Sequence, residues 1–368
     1  MRIKNKIIFF SNSSWNLFKF RLPLINSLKK KNFDVITVSP EDQYIDLIKN
    51  KVNKHITLNL SKKNSTFLLF IRDILFFYKI IKIEKPNIVL SYTIKCNIIN
   101  ILISKICGVK AFTNITGLGS VFLKKNFIYI FISKIIIFFY KSHNQNIFQN
   151  LNDAKVIYGK DYKTSKFFYL PGLGVNTKFY KPKLKKNKKI INFFMISRII
   201  KDKGVLEYLK AAEIISNRYS NIKFNYVGDF DVENPSSIDS TFFYDNLKKS
   251  CINYYKPKKN IKYFLNKADC IVHPSYREGV SNVLLEAASM EIPIIASNVP
   301  GCNDIVKDNF NGILCKPKNI NNLANCILKF ISLTKNKKKK MGKLSRIFVI
   351  KNFEQKNIVK KYIKLINE

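Results

Sequence analysis

Short apolar runs alternate with longer segments of helical periodicity along the first half of the chain. The predicted strands are residues 6–11, 34–39, 55–60, 87–92 and 110–115, and the predicted helices are residues 16–31, 64–84 and 96–107. Strands that alternate with helices in this way predict a parallel, doubly wound α/β sheet. Ligands of such sheets bind beyond the carboxyl ends of the strands, so the loops that follow the strands are the first candidates for a site.

The same alternation resumes after residues 171–189, which contain Pro, Gly and many Lys but no apolar periodicity. The second set of predicted strands covers residues 190–197, 222–229, 268–275, 292–297 and 312–317, and a helix is predicted over residues 204–218. We therefore predict an N-terminal domain over 1–170, a linker over 171–189 and a C-terminal domain over 190–351. A last helix over 352–368 is expected to return to the first domain, and the carboxyl ends of the two sheets are expected to face each other across a cleft.

Two glutamates flank a small polar turn in the stretch REGVSNVLLEA. Glu278 precedes the turn, and Glu286 lies in the helix-forming run that follows it. Ser281 and Asn282 are good N-cap residues, so the helix is expected to begin near Val283. Both carboxylates would then lie at a helix N-terminus, where backbone N–H groups and the helix dipole attract an anion. This combination of hydroxyl-binding carboxylates and a phosphate-binding helix end predicts a sugar-nucleotide site.

Basic residues follow the strand predicted at 190–197. In SRIIKDKG, Arg198 and Lys203 are placed at the carboxyl end of that strand, from which they could hold a diphosphate. The sequence DFD at 229–231 is similar to an Asp-x-Asp metal pair, but Arg198 and Lys203 leave a departing diphosphate no need of a metal. Three histidines are too few for a histidine metal site, and His273, at the end of a strand, is interpreted as structural. We expect neither a metal nor a cofactor.

A glycine-bearing loop, TGLG, follows the strand predicted at 110–115. Gly117 and Gly119 would let the backbone approach an anion closely, and an ordinary turn is the alternative interpretation. Because the loop follows a strand, it is a candidate part of the binding site.

Two predicted helices combine aromatic, aliphatic and basic residues. The apolar part of one, residues 127–140, is interrupted by Ser133 and Lys134, and residues 67–85 have a similar composition. The lysines in and around the first segment are Lys124, Lys125, Lys134 and Lys141. A helix that spans a bilayer needs roughly 20 apolar residues, so residues 127–140 are too few to span one. Two interpretations stay open, a buried helix of the first domain or an interfacial helix with basic flanks.

The net charge is extreme, at +41 from 65 basic and 24 acidic residues. A general bias toward Lys, Asn, Ile, Phe and Tyr explains part of it, and attraction to an anionic membrane surface is the functional alternative. Nucleic acid is not an expected partner, because the chain has neither a zinc-ligand pair nor an RNP-like aromatic motif. Seven scattered cysteines indicate a reducing compartment, and the start of the chain has too short an apolar run for a signal peptide. We expect a cytoplasmic protein, peripheral on the inner face of the membrane.

Taken together, these motifs resemble family 4 glycosyltransferases, which have the GT-B fold of two facing Rossmann-like domains with an interdomain cleft. The resemblance is strongest over residues 190–315 and is carried by ITGLGSVF, LPGLGVNTKFY, SRIIKDKGVLEYLKAA and the Glu-x7-Glu stretch. It is closest to enzymes that add N-acetylhexosamine or related sugars to polyprenyl-diphosphate-linked saccharides in bacterial surface polysaccharide or glycan biosynthesis. It implies a retaining, metal-independent hexosyltransferase with a UDP-sugar donor.

The same resemblance implies roles for individual residues. Glu286 would bind the ribose hydroxyls and Glu278 would face the donor sugar, while Arg198 and Lys203 would neutralise the diphosphate. The remaining donor-binding positions implied are Gly279, Val280, Ser281 and Asn282 through their backbone N–H groups, with Gly117 and Gly119 on the opposite wall. No histidine stands at 114–117, where many relatives have one, so no catalytic histidine is carried over. A sugar-nucleotide 2-epimerase of the same fold and a non-catalytic membrane-associated relative remain as alternatives.

Overall fold

Two compact units make up the chain. The computed structural model describes residues 5–58, 60, 67–122, 126–183, 190–232, 234–258 and 260–368. The first unit comprises Met1–Leu173 and Gln355–Glu368, and the second comprises Gly174–Glu354. Parts of the predicted segments lie outside the described residues, namely residue 59 of a strand, residues 64–66 of a helix, Lys124, Lys125 and residues 184–189 of the linker.

A parallel sheet, seven-stranded over the residues described, forms the centre of the first unit. Its strands are β1 (Lys6–Phe10), β2 (Asp34–Ser39), β3 (Lys54–Thr57), β4 (Ile88–Tyr92), β5 (Lys110–Ile115), β6 (Asn146–Phe148) and β7 (Phe168–Tyr169), in the spatial order β3-β2-β1-β4-β5-β6-β7. Strands β1 to β5 correspond to the predicted ones. Strands β6 and β7 were not predicted, because three and two residues are too few to show a period.

The helices of the first unit connect these strands. They are α1 (Ser14–Phe20), α2 (Leu22–Lys30), α3 (Ile45–Lys49), α4 (Phe67–Glu84), α5 (Ile94–Cys107), α6 (Phe127–Lys141) and α7 (Leu151–Tyr158), with 3-10 turns at Ser120–Phe122 and Gly159–Lys163. The single helix predicted over 16–31 is two helices that meet at Arg21. Pro23 lies in the first turn of α2, where its missing N–H leaves no bond unmade, so a new helix begins there.

Apolar side chains cover both faces of the first sheet. Phe9 lies in the core on the side of α2, whereas its neighbour Phe10 lies on the side of α4, stacked on Phe77 with ring centroids 4.2 Å apart. Successive side chains of a strand point to opposite faces, so a run such as IIFF fills two cores at once. This is why the strands read as continuous apolar runs rather than as alternating ones.

The second unit contains a six-stranded parallel sheet as far as its residues are described. Its strands are β8 (Ile191–Ile196), β9 (Ile222–Val227), β10 (Ile252–Tyr255), β11 (Cys270–His273), β12 (Ile294–Ser297) and β13 (Ile313–Cys315), in the order β10-β9-β8-β11-β12-β13. After β8 the chain adds β9 and then β10 on one side of the sheet, and after β11 it adds β12 and then β13 on the other side. The strand order therefore reverses between β8 and β11, and a crevice at their carboxyl ends is where such sheets bind ligands.

Six helices of the second unit and a final helix complete the described chain. They are α8 (Val205–Ser216), α9 (Ser240–Lys249), α10 (Lys262–Leu265), α11 (Asn282–Ser289), α12 (Ile320–Ser332), α13 (Lys335–Phe353) and α14 (Gln355–Asn367), with a 3-10 turn at Lys201–Lys203. Helix α14 belongs to the first unit, where the buried Tyr362 donates a hydrogen bond from its hydroxyl to Asn114 Oδ1 at 2.9 Å. The extended backbone of Glu354 separates α13 from α14.

Candidate functional site

The loops that follow β8 and β11 meet at the point where the strand order reverses. The carbonyl oxygen of Asp202 accepts hydrogen bonds from Tyr276 N at 2.8 Å and from Ser275 Oγ at 3.1 Å. Gly204 has a φ of +72°, and a Cβ there would lie 2.1 Å from the carbonyl oxygen of Pro274. Only glycine permits this approach, which brings the SRIIKDKG segment against the loop that carries Glu278.

Glu278 and Lys203 form an ion pair at this junction. Lys203 Nζ lies 2.5 Å from Glu278 Oε1, and the Glu278 side chain is 12% exposed. His273 Nε2 lies 2.9 Å from the same carboxylate oxygen. Burial alone would raise the pKa of Glu278, but the charge of Lys203 and the hydrogen bond from His273 outweigh it and hold that pKa well below the usual value. Glu278 is therefore a fixed carboxylate at neutral pH.

His273 is the residue of this cluster whose role sequence reasoning missed. It ends β11, it is buried, and besides Glu278 it approaches Ser281 Oγ at 3.3 Å. A structural interpretation of His273 is incomplete, because the imidazole orients a carboxylate of the candidate site. The signal was present in the chain as a histidine at a strand end shortly before an acidic loop residue.

The turn from Glu278 to Ser281 is held by the loop that follows β12. Gly301 has a φ of +78°, and a Cβ there would lie 2.6 Å from the carbonyl oxygens of both Glu278 and Gly279. The carbonyl oxygens of Pro300 and Gly301 accept hydrogen bonds from Glu278 N at 3.2 Å and Ser281 N at 3.4 Å. The N–H of Ser281 therefore has a partner within the protein, and its expected contact with a ligand stays a prediction.

Helix α11 begins at Asn282, one residue before the predicted start. Ser281 is its N-cap, but no side-chain hydrogen bond from Ser281 caps the helix, since its hydroxyl lies near His273. Val280 is buried in the core beneath the helix, so it contributes packing in addition to any backbone contact. The N-terminus of α11 and the carboxylate of Glu278 thus adjoin each other, as the sequence predicted.

Glu286 lies in the second turn of α11 and interacts with Tyr180. Burial, then the negative charge of Glu286 and the hydrogen bond to its carboxylate, raise the pKa of Tyr180 well above its usual value, so the phenol stays protonated and donates to Glu286. The backbone of Tyr180 is fixed in turn, because its carbonyl oxygen accepts a hydrogen bond from Ser289 Oγ at 2.6 Å. Tyr180 therefore orients Glu286, a role that no local sequence pattern indicated.

Arg198 follows β8 and is half exposed. Its guanidinium donates to Asp231, the second aspartate of the DFD segment, and Asp231 also accepts from Asn234 Nδ2 at 3.2 Å. Asp229 accepts from the backbone N–H of Phe230 at 2.9 Å. Within the described residues, no group of three or more His, Cys, Asp or Glu is arranged to hold a metal ion. An exposed pair such as Arg198 and Asp231 separates at little cost, so Arg198 can turn to an arriving phosphate.

Gly117 and Gly119 lie in the first unit, in the loop after β5. Their φ values are +128° and +68°, which favour glycine at both positions. The loop is at the carboxyl edge of the first sheet, where the strand pattern predicted it.

Helices α4 and α6 expose a broad apolar surface, which we call the α4–α6 surface. Both pack beside α5, and α6 buries only Ile136 and Tyr140. The exposed apolar residues are Phe67, Leu68, Ile71, Leu75, Phe76 and Ile83 of α4, and Phe127, Ile128, Ile130, Phe131, Ile132, Ile135 and Phe138 of α6. The interpretation of residues 127–140 as a buried helix is therefore wrong. Among the described residues, no helix is both long enough and apolar enough to cross a bilayer.

Two family models match the chain, and the boundary between the two units lies between the residues that they match. The family model "Glycosyl transferase 4-like" matches residues 6–150, and the model "Glycosyl transferases group 1" matches residues 176–347. Sucrose-phosphate synthase from Thermosynechococcus elongatus has a similar structure, with a TM-score of 0.80 and 16% identity over 98% of each chain. The predicted GT-B class is confirmed by this likeness and by the two parallel sheets.

Two curated relatives match along most of their length. An N,N'-diacetylbacillosaminyl-diphospho-undecaprenol alpha-1,3-N-acetylgalactosaminyltransferase from Campylobacter jejuni is 26% identical over 87% of each chain. A UDP-Gal:alpha-D-GlcNAc-diphosphoundecaprenol alpha-1,3-galactosyltransferase from Escherichia coli is 24% identical over 84% of this chain and 85% of its own. Both names describe transfer to a sugar carried on undecaprenyl diphosphate.

Proposed function

The chain belongs to the glycosyltransferases, with a 4-like domain followed by a group 1 domain, and we propose that it moves a hexose, with N-acetylhexosamine as the expected sugar, from a UDP-sugar to a lipid-diphosphate-linked saccharide. The transfer retains the anomeric configuration and needs no metal. The observation that carries this proposal is the cluster of Lys203, Glu278 and His273 at the carboxyl ends of β8 and β11.

The lowered pKa of Glu278 defines what this carboxylate can do. A group that stays ionised at neutral pH cannot donate a proton to a leaving group, so Glu278 is not a general acid. It can accept hydrogen bonds from sugar hydroxyls and stabilise positive charge that develops at the anomeric carbon. Lys203 and His273 hold it in one orientation, so little reorganisation is needed when the sugar arrives.

Positive charge for the leaving diphosphate comes from the loop after β8. Lys203 is largely buried beside Glu278, and Arg198 is exposed and free to reorient from Asp231. As the bond to the sugar breaks, negative charge grows on the diphosphate, and cations beside it lower the barrier for that step. The same charges make metal-independent transfer chemically reasonable. Glu286, oriented by Tyr180, supplies an acceptor for the ribose hydroxyls.

The acceptor is proposed from the two relatives and from the α4–α6 surface. Both relatives are named for acceptors on undecaprenyl diphosphate, whose lipid places the reaction at a membrane. Exposed apolar side chains such as Phe127 and Phe138 fit the acyl region of a bilayer, and the exposed cations Arg72, Lys134 and Lys141 fit anionic headgroups. We propose that this surface docks the protein on the inner face of the cell membrane.

A donor and acceptor screen tests the proposed activity. Purified protein is incubated with UDP-GalNAc, UDP-GlcNAc, UDP-galactose or UDP-glucose and a short polyprenyl diphosphate that carries one sugar, with and without EDTA. The expected result is a disaccharide product whose new linkage keeps the donor's anomeric configuration by NMR and whose yield is unchanged by EDTA. Release of a free 2-epimer would identify an epimerase instead. No turnover of any donor, by protein that still binds UDP, would indicate a non-catalytic relative.

A further inference from the structure

A buried arginine with no acidic partner among the described residues lies at the carboxyl edge of the first sheet. Arg21 separates α1 from α2 and is 4% exposed. Its guanidinium carbon lies 4.1 Å from the ring centroid of Tyr92, the last residue of β4. Within the part of the chain that the structure describes, no ion pair includes Arg21, and its Nε has no hydrogen-bond partner.

Two buried hydroxyls on this face of the sheet also lack partners as far as the chain is described. Among the described residues, Tyr92 Oη and Ser11 Oγ are buried and make no hydrogen bond. Phe10 pairs with Ser91 in the register of β1 and β4, so Ser11 is placed beside Tyr92 at the next position. Phe9 and Tyr92 pack in one core, and Ser11 is two residues after Phe9, so Ser11 and Tyr92 point to the same face of the sheet as Arg21.

Several neighbouring buried polar groups do have partners. On the opposite face of the sheet, Asn97 Nδ2 donates to the carbonyl oxygen of Asn114 at 3.0 Å and to Tyr140 Oη at 3.0 Å, and Ser91 Oγ donates to Asn97 Oδ1 at 2.8 Å. Buried polar groups are normally satisfied in this way, and a desolvated charge without a counter-charge is particularly costly. Three unsatisfied donors in one place therefore indicate a site completed by a ligand.

The donors define the ligand chemistry. Arg21 offers a planar fork of N–H groups, and burial keeps the Tyr92 phenol protonated by raising its pKa despite the nearby guanidinium. Ser11 adds a second hydroxyl donor. One guanidinium together with two hydroxyl donors matches a group with several anionic oxygens, such as a phosphate. No carboxylate of the described residues is paired with Arg21, so an anionic ligand would supply a counter-charge that these residues do not.

We propose that Arg21, Tyr92 and Ser11 form an anion site in the first unit that binds a phosphate of the acceptor's lipid diphosphate. This inference rests on the proposed function, because the donor's diphosphate already has Arg198 and Lys203 in the second unit. The site would fix the acceptor by the group that joins its sugar to its lipid. It would thereby select lipid-diphosphate sugars over free sugars, which lack that charge.

Calorimetric titration with inorganic pyrophosphate, with and without saturating UDP, tests the site. We expect the wild type to bind pyrophosphate in the presence of UDP, and Arg21→Gln to weaken this binding at least tenfold, a typical effect for a charged hydrogen-bonding partner. Arg218→Gln, an exposed arginine of the second unit, is the matched control and should leave the affinity unchanged. Equal affinity in the wild type and Arg21→Gln, or no binding to the wild type, would overturn the proposal.

Tyr92→Phe tests the same site in a variant that is expected to fold normally, so a loss of binding cannot be attributed to unfolding. Its hydroxyl has no partner among the described residues, so removal should leave the thermal unfolding midpoint unchanged or raised, while pyrophosphate binding weakens about threefold to tenfold. A lower midpoint with unchanged binding would assign the hydroxyl a structural role and contradict the proposal.

A short polyprenyl diphosphate distinguishes the source of the phosphate. The same dependence on Arg21 for this lipid assigns the site to the acceptor, whereas an Arg21 effect on inorganic pyrophosphate alone refutes that assignment. Because these titrations measure binding and not turnover, they keep their meaning even if the donor screen finds no sugar transfer.

Discussion

Lys203 Nζ lies 2.5 Å from Glu278 Oε1, and this contact joins the two halves of the second sheet at their carboxyl ends. The lysine follows β8 and the glutamate follows β11, so the pair lies where the strand order reverses. Each charge neutralises the other, and His273 adds a hydrogen bond to the same oxygen. The pair keeps two oppositely charged groups ready beside each other, one for a sugar and one for a diphosphate.

Replacing Glu278 by Gln should impair both activity and stability. The variant leaves the largely buried Lys203 without its counter-charge, so we expect a loss of roughly 2–3 kcal/mol in the free energy of unfolding by urea denaturation. Sugar transfer should fall roughly 100-fold, because a preorganised charge at the reacting centre is lost. Glu213→Gln, which removes a partly exposed pair with Lys210, is the control and should change neither quantity by much. Wild-type activity in Glu278→Gln would contradict the role given to this carboxylate.

The low pKa of Glu278 makes stability depend on pH in a defined direction. Its folded-state pKa lies below the usual value of 4.5, so at acidic pH the unfolded chain binds more protons than the folded one. The stabilisation is complete well above pH 4.5 and is lost progressively as the pH falls below that value. Urea denaturation between pH 7 and pH 3.5 should show a smaller decline for Glu278→Gln than for the wild type. Identical declines would mean that Glu278 titrates normally.

Tyr180 should act on the nucleotide through Glu286. Tyr180→Phe removes the hydrogen bond that orients the carboxylate, so UDP affinity measured by calorimetry should fall about threefold to tenfold. Glu286→Ala should weaken UDP binding by roughly tenfold or more, because a charged acceptor for the ribose hydroxyls is lost. In the double variant the Tyr180 effect should disappear, since the residue it positions is absent. Additive losses would show that Tyr180 acts independently of Glu286.

The α4–α6 surface should determine membrane binding. Phe131 and Phe138 are 58% and 67% exposed, so Phe131→Asp with Phe138→Asp should leave the fold intact and release the protein from anionic vesicles in a flotation assay. Phe242→Asp with Phe310→Asp alters equally apolar, exposed positions of the second unit and is the matched control. Binding that survives in the first variant, or is lost equally in the control, would show that another surface contacts lipid.

Features that depend on neighbouring residues in the chain could be predicted from the sequence. Continuous apolar runs predicted the principal strands of both sheets, since a parallel strand buried on both faces needs apolar residues at every position. The loops that carry Arg198, Lys203 and Glu278 could be placed for the same reason, because a loop after a parallel strand lies at its carboxyl end. The strands β6, β7 and β10 were missed, since each has only two to four residues and shows no period. The break between α1 and α2 was also missed, although Pro23 in the first turn of α2 is a local signal for a new helix.

The sequence by itself determined the two α/β halves, the loops at their strand ends and the residue types available there. Only the tertiary structure decided which of those residues meet. Lys203 and Glu278 are 75 positions apart, and Tyr92 and Tyr362, the aromatic neighbours of Arg21, come from distant parts of the chain. Such contacts depend on strand order and on glycines such as Gly204 that allow two backbones to approach. No local period encodes them, because they follow from how whole elements pack.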